Sequence, residues 1–290
     1  MKHSNIFVKG SVHLVLIILS LMCLLPFIMI LSVSLTSEAG IQANGYGLIP
    51  SEWSLEAYKY IFRNPTEVIS AYTTTIFVTV VGTISSTVIM SMMAYPLARQ
   101  DFKLKNALSF FVYFTMLFSG GLVPSYILVT KYLGLKDNVL ALILPILISG
   151  WNTMLLRMFI ASIPMSLIEA ANLEGASEFR IFFTIVFPLA KVGIVTVALF
   201  QVLAFWNDWY QAMLYIDHGN MTTLQYMLYR VMNKVNLAKE YGGMMTTQEK
   251  LPNENLRMAL CVVAAGPTLV VFPFFQKYFS KGITVGGVKG

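Results

Sequence analysis

Apolar residues in this chain come in six long blocks set apart by shorter polar segments. They run from about Ser11 to Leu35, Ser70 to Leu97, Ala107 to Thr130, Asn138 to Ile160, Val192 to Ile216 and Met258 to Phe279. A helix needs ~20 apolar residues to cross a hydrocarbon core about 30 Å thick. Each block is long enough, and each is bounded by charge or by Pro and Gly. The pattern predicts an all-α integral membrane protein with six transmembrane helices. A cleaved signal peptide is the competing reading of the first block, since Lys2 and Lys9 precede it. Its uncharged run from Gly10 to Ser37 is longer than a signal core, and no small-x-small cleavage site follows cleanly.

Charge between the blocks sets an expected orientation. Lys2 and Lys9 precede the first block, Arg99, Lys103 and Lys105 join the second to the third, and Lys277, Lys281 and Lys289 follow the sixth. Basic residues in short loops mark the cytoplasmic side, so both termini are expected inside. Between the first two blocks, Glu38 to Glu67 carries four acids against Lys59 and Arg63, as suits the outer face, and Trp53, Tyr58 and Tyr60 there suit an interfacial lid. The outer segment of about Asp217 to Glu254 holds four basic residues, but a translocated loop of that length is weakly bound by the rule. The expected organisation is 1–69 for the first helix and outer loop, 70–280 for the transmembrane domain, and 281–290 for a cytoplasmic tail.

Composition agrees with the pattern. The 290 residues are 57% hydrophobic and 12% charged, with mean hydropathy +0.69, whereas soluble proteins are about a quarter charged. The net charge of +6 does not point to nucleic acid, because the basic residues are scattered singly and form no stripe. Cys23 and Cys261 lie in apolar blocks and make neither a disulfide framework nor a thiolate cluster. His3, His13 and His218 have no ligand spacing, so no metal or catalytic constellation is expected.

One segment breaks the apolar monotony on the expected cytoplasmic side: residues 169–190, EAANLEGASEFRIFFTIVFPLA. Ser166 and Glu169 fit a capping box, which predicts a short helix beginning near Leu167 and interrupted near Gly175. Ala171 and Gly175 are four apart and so share a face, and small residues there let another backbone approach closely. Glu169, Glu174 and Glu178 flank that face. By spacing alone, an amphipathic surface helix linking two spans is the plainer reading; a knob that enters a groove on another protein is the sharper one.

The string Glu169-Ala170-Ala171, three residues, Gly175, nine residues, Ile185, one residue, Phe187-Pro188 resembles the EAA loop of ATP-binding-cassette importer permeases, with Phe187 in place of leucine. The end of the chain, from Gln276 through Gly282, Thr284, Gly286 and Gly287 to Gly290, is similar to the tail of maltose-type sugar permeases. So are Gly47 to Pro50, Ser54 to Tyr58, and Trp206 to Trp209. The resemblance implies a type I importer permease fold in a bacterial cell membrane, serving carbohydrate uptake and extending to complex or acidic oligosaccharides. It implies Glu169, Ala170, Ala171, Glu174 and Gly175 as ATPase-coupling residues, and Gly282, Thr284, Gly286 and Gly287 as the tail's contact with the ATPase. The partners it implies are a second homologous permease subunit, two nucleotide-binding ATPase subunits and an extracytoplasmic solute-binding protein. Consistently, the chain has no phosphate-cradling Gly-x4-Gly-Lys-Ser/Thr loop, since Lys281-Gly282 is in the wrong order and context. ATP and Mg are thus expected on a partner chain, and no cofactor on this one.

The expected substrate path draws on Trp206, Asn207, Asp208, Trp209 and Tyr210. On one continuous helix from Lys191, Asp208 falls about 25 Å along the axis at ~1.5 Å per residue. A carboxylate, an amide and aromatics at such depth are costly unless they face protein or water. Aromatic faces can stack on sugar rings while amides bond hydroxyls. The competing reading is an interfacial aromatic belt. Asn152 in the fourth block is a further candidate; Arg157 lies near the helix end and suits snorkelling. A secondary transporter needs inverted repeats and paired intramembrane charges, and the blocks hold almost none. A channel filter motif is absent, and the main alternative is an importer permease for a non-sugar solute.

Overall fold

The computed structural model describes residues 2–217, 221–241 and 254–286. They are helical apart from short connections. In chain order the helices are α1 (Lys2–Ser34), α2 (Glu38–Asn44), α3 (Glu56–Ile61), α4 (Pro65–Ala98), α5 (Lys105–Leu117), α6 (Leu122–Ile127), α7 (Gly150–Ala161), α8 (Met165–Leu173), α9 (Glu178–Ile181), α10 (Phe187–Leu189), α11 (Lys191–Trp206), α12 (Tyr210–Tyr215), α13 (Leu224–Tyr241) and α14 (Glu254–Gly286). A π-helical turn (Leu128–Tyr132) follows α6, 3-10 turns (Val139–Leu142, Leu144–Ile146) precede α7, and a second π turn (Phe182–Val186) joins α9 to α10.

Two described helices, Lys9–Ser34 and Pro65–Ala98, are long and apolar enough to cross a membrane by themselves. Three further stretches pass only as bent pairs: Lys105–Leu117 with Leu122–Tyr132 at 110°, Val139–Ile146 with Gly150–Ala161 at 56°, and Glu178–Leu189 with Lys191–Trp206 at 82°. The third and fourth apolar blocks therefore fold as broken helices, a correction to the straight spans expected from hydropathy, and the third bend falls at Ala190, just before the fifth block. The breaks have local causes. Phe118 turns extended and Gly121 adopts φ +87 before α6, Pro145 stands in the second 3-10 turn, and the second π turn with Pro188 precedes the third bend. Hydropathy sums composition and cannot register a change of direction. The fifth block also ends early: α11 stops at Trp206, so Asp208 lies past a helix end and not within a helix running to Ile216. The sixth block falls inside α14, whose helical backbone continues through Gly286.

The chain forms two compact units, residues 1–68 with 228–267, and 69–227 with 268–290. In the first, α1 leaves its apolar side chains open, from Val12 to Leu31, as a lipid-facing helix does. The segment after it is held by polar contacts. The Ser37 hydroxyl caps α2 through the Gly40 amide at 2.9 Å and donates to Glu52 Oε2 at 2.6 Å. Tyr58 pairs with Ser34 at 2.8 Å, Tyr60 is half-buried, and Trp53 stays exposed. Glu38 Oε2 accepts the amides of Glu254 (3.0 Å) and Asn255 (3.4 Å), which places a carboxylate at the amides that open α14, the positive end of the helix dipole.

The second unit is built on α4. Met90, Ala94 and Tyr95 of α4 pack with Leu156 and Ile160 of α7 and with Ile181, Phe182, Val186, Ile194 and Val197. A second core joins Val78 to Leu142, Ile143, Phe205, Ala212 and Ile216. The helices meet closely: a Cβ at Gly82 would lie 2.6 Å from Phe205 Cζ, so only glycine fits that crossing.

Candidate functional site

The EAA segment folds as helix, left-handed glycine, helix. α8 begins at Met165, two residues before the expected start, because Pro164 (φ −57, ψ 128) already makes the turn into it. Ser166 is thus inside the first turn and is not the cap, which corrects the capping-box assignment. At the other end the Gly175 amide donates to the Asn172 carbonyl (3.0 Å) and the Ala176 amide to the Ala171 carbonyl (3.0 Å). Together with φ +78 at Gly175, this is the Schellman arrangement that satisfies the last carbonyls of a helix. A Cβ at Gly175 would meet nothing within 4 Å. The glycine is therefore needed for its backbone angle and not for close packing within this chain. Ser177 then caps α9, accepting the Arg180 amide at 3.4 Å.

α8 has two unlike faces. Ile168 and Ala171 (9% exposed) enter the core with Ile181 and Phe182. Glu169, Ala170, Glu174 and Gly175 are open, and Leu173 is 90% exposed. The expected small face is corrected: Ala171 points into this chain's own interior, and the free surface is made by Ala170, Leu173 and the two glutamates. Spacing put Ala171 and Gly175 on one face, but only packing decides which face is inside.

What fixes this segment is a cluster the sequence reading did not assemble. Arg99, the residue after α4, has a side chain only 10% exposed. Its Nη1 lies 2.8 Å from both carboxylate oxygens of Glu178 and 3.0 Å from the Tyr95 hydroxyl. Its Nε reaches Asp101 Oδ1 at 2.8 Å, and Nη2 bonds Asp101 Oδ2. The Tyr95 hydroxyl donates to Glu178 Oε2 at 2.7 Å, and its ring stands 5.7 Å from that of Phe182. Hydrogen bonding from Arg99 holds the Asp101 carboxyl below the usual carboxylate range, and the Asp101 contact in turn raises Arg99 further. Beside the cluster, Met92, Tyr95, Glu178, Phe179 and Phe182 line a cleft of about 150 Å³. Arg99 was legible only as a loop charge and Glu178 only as an edge carboxylate; a separation of 79 positions hides the pair.

The other candidate group surrounds Asp208. Asn207 caps α11, its Nδ2 donating to the Leu203 carbonyl at 2.9 Å. The Asp208 carboxylate accepts the Gln211 amide at 3.2 Å at the start of α12. Thr223 Oγ1 donates to the Asp208 carbonyl at 3.2 Å, and the next amide, Leu224, donates to Thr75 Oγ1 of α4 at 2.8 Å. Trp209 and Tyr210 are exposed and stand edge to face, ring centroids 5.9 Å apart. Trp206 is not with them: at 7% exposed it belongs to the interior. Asn152 is also interior, its Nδ2 donating to Gln201 Oε1 at 3.3 Å, while Gln201 Nε2 bonds Ser86 Oγ. Gln201 and Ser86 had no signal beyond being polar letters in apolar blocks. Arg157 places its guanidinium 3.9 Å from the Met154 sulfur.

Nearby, Lys136 Nζ pairs with Asp217 Oδ2 at 2.7 Å, and the Asp217 amide donates to Asp137 Oδ1 at 2.7 Å. Of the expected tail contacts, Gly282, Thr284 and Gly286 lie on the helical backbone of α14, and Gly287 is outside the described residues. Among the described residues no group of three or more His, Cys, Asp or Glu could hold a metal ion.

Comparison with known proteins adds four findings. The family described as "Binding-protein-dependent transport system inner membrane component" matches residues 87–285, which include both candidate groups. The chain is 39% identical to the polygalacturonan/rhamnogalacturonan transport system permease protein YtcP of Bacillus subtilis (strain 168), over 95% of this chain and 96% of that one. It is 40% identical to protein LplC of the same organism, over 92% and 90%. Among solved structures it is similar to a bacterial ABC transporter involved in the import of the acidic polysaccharide alginate, with TM-score 0.78, 30% identity, and coverage of 94% of this chain and 96% of that one.

Proposed function

Because the chain belongs to the binding-protein-dependent transport system inner membrane component family and is an ABC importer permease, not an enzyme, we propose that it forms half of the translocation path for an acidic oligosaccharide. In this reading both termini and the α8–α9 segment face the cytoplasm, in a bacterial plasma membrane crossed six times. The path is completed by a second permease subunit, energy comes from two ATPase subunits carrying ATP and Mg, and an extracytoplasmic protein delivers the solute.

The observation that carries the coupling role is the division of α8 into two faces. Ile168 and Ala171 anchor one to the core, and the other presents Glu169, Ala170, Leu173 and Glu174 bare. A leucine left 90% exposed between glutamates is what a helix offers to an apolar groove with a basic rim. Nucleotide-driven closure of the ATPases would move this helix, and ATP would favour one of two global states of the complex while the loaded binding protein favours the other. The tail around Gly282, Thr284, Gly286 and Gly287 is a second contact in this proposal.

An acidic solute is supported by two of the similar proteins, whose names specify polygalacturonan/rhamnogalacturonan and alginate. Asn207, Asp208, Trp209 and Tyr210 are the residues of this chain offered to the sugar; Asn152 and Trp206 serve from the interior by fixing the surrounding helices. The test is uptake by the complete importer in proteoliposomes. ATP-dependent uptake of oligogalacturonides, exceeding that of neutral maltooligosaccharides and requiring the binding protein, is expected. Uptake of neutral sugars alone would overturn the acidic assignment, and ATP hydrolysis by the repurified single chain would overturn the division of labour.

A further inference from the structure

The α8–α9 segment is joined to the rest of its unit in several ways: residues 162–164 link it to α7, Ile168 and Ala171 enter one core with Met90 and Ala94 of α4 and Leu156 and Ile160 of α7, and the π turn Phe182–Val186 with an 82° bend leads into α11. A polar grip adds to these on α4: the Arg99 cluster holds Glu178 from the end of that helix, which runs 34 residues without a break. The grip spans Pro96, since Tyr95 before it and Arg99 after it both bond Glu178. Far along the same helix, buried Thr75 accepts the amide of Leu224, and the adjacent Thr223 bonds the Asp208 carbonyl. From Thr75 to Arg99 is about 36 Å of helix at ~1.5 Å per residue.

We infer that α4 is the rod that carries motion of the α8–α9 segment to the Asp208 segment, with Arg99 and Thr75 as positioning residues at its two grips. The inference rests on the ATPase-coupling reading of α8 given above. It assigns the transmission to an element outside the coupling motif, and it specifies the contacts at each end.

The experiment measures solute transported per ATP hydrolysed by the complete importer in proteoliposomes. If the wild-type complex itself shows no coupled uptake, the functional reading has failed and not this one. With a coupled wild type, Arg99→Glu and Glu178→Arg should each lower the ratio about tenfold in an assembled complex, and the exchanged pair should recover most of it. Thr75→Val should lower the ratio as well, and Arg99→Glu with Thr75→Val should be no worse than the stronger single variant, as expected for two grips on one rod. If Arg99→Glu prevents assembly, Arg99→Gln keeps a donor without the charge and should give an intermediate ratio. A wild-type ratio in the Arg99 variants, or losses at Arg99 and Thr75 that simply multiply, would overturn the inference.

Discussion

Two ionic clusters among the described residues of the second unit differ in how much of each charge is left in water. Arg99 is 10% exposed in its side chain and bonds three partners, whereas Lys136 is 43% exposed and bonds Asp217, itself 60% exposed. A guanidinium withdrawn from solvent must keep its partners, because an unpaired buried charge is costly. An ammonium that stays hydrated loses little when its partner leaves. The Arg99 end of the unit is thus specified by its charges, while the Lys136 end is specified by backbone contacts such as the Asp137 amide to the Tyr215 carbonyl (2.9 Å).

That contrast can be broken by experiment. The largest effect is expected where α8 meets the core. Ala171→Trp has no room beside Ile168, Ile181 and Phe182, and overpacking costs of ~3 kcal/mol or more should remove the assembled complex from size-exclusion profiles. Gly175→Ala, pointing into open space, should cost only about 1 kcal/mol from its positive φ and leave assembly intact. Equal damage by the two would show that α8 is not divided into a buried and a free face.

Next comes Glu178→Ala, which leaves Arg99 with Asp101 and Tyr95 alone. Because Glu178 is itself 58% exposed, the loss is expected at about 1–2 kcal/mol, below that of a fully buried pair, seen as a lower melting temperature of the purified complex. Lys136→Ala should leave that temperature unchanged within error. A larger shift from Lys136 than from Glu178 would reverse the comparison.

Smaller changes are expected around Asp208. Trp209→Ala should reduce uptake several-fold, on the order of 1 kcal/mol for one aromatic contact, without altering solute affinity of the binding protein. Asp208→Asn should leave acidic oligosaccharide uptake equal or higher, since like charges repel at low dielectric. Reduced uptake of acidic and neutral sugars alike would mark Asp208 as a cap of α12 only.

The smallest effect is that of pH. Asp101 is held below its ordinary value by Arg99, so its contribution is fully present above the unfolded carboxylate value of about 4 and is lost as pH falls through the lower folded one. Lys136 is shifted up by Asp217, so its contribution is lost only as pH rises past the ordinary lysine value of about 10.4. Melting temperature should therefore show no step from either cluster between pH 6 and 9 on these reference values; a step there from Asp101→Asn, absent in the wild type, would contradict the assignment.

Much of this was written in the order of residues. Apolar blocks of ~20 residues dictate helices in a membrane whatever their packing, because backbone groups in hydrocarbon must bond within their own segment. The interruption at Gly175 was equally local, since a positive φ at a helix end favours glycine. The family resemblance rested on the same short-range spacing, and the match over residues 87–285 bears it out. Two things were decided only in three dimensions: the inward turn of Ala171 and Trp206, and the meeting of Arg99 with Glu178. Each depends on which surfaces of separate helices come together, and helical period fixes a face without fixing what that face meets.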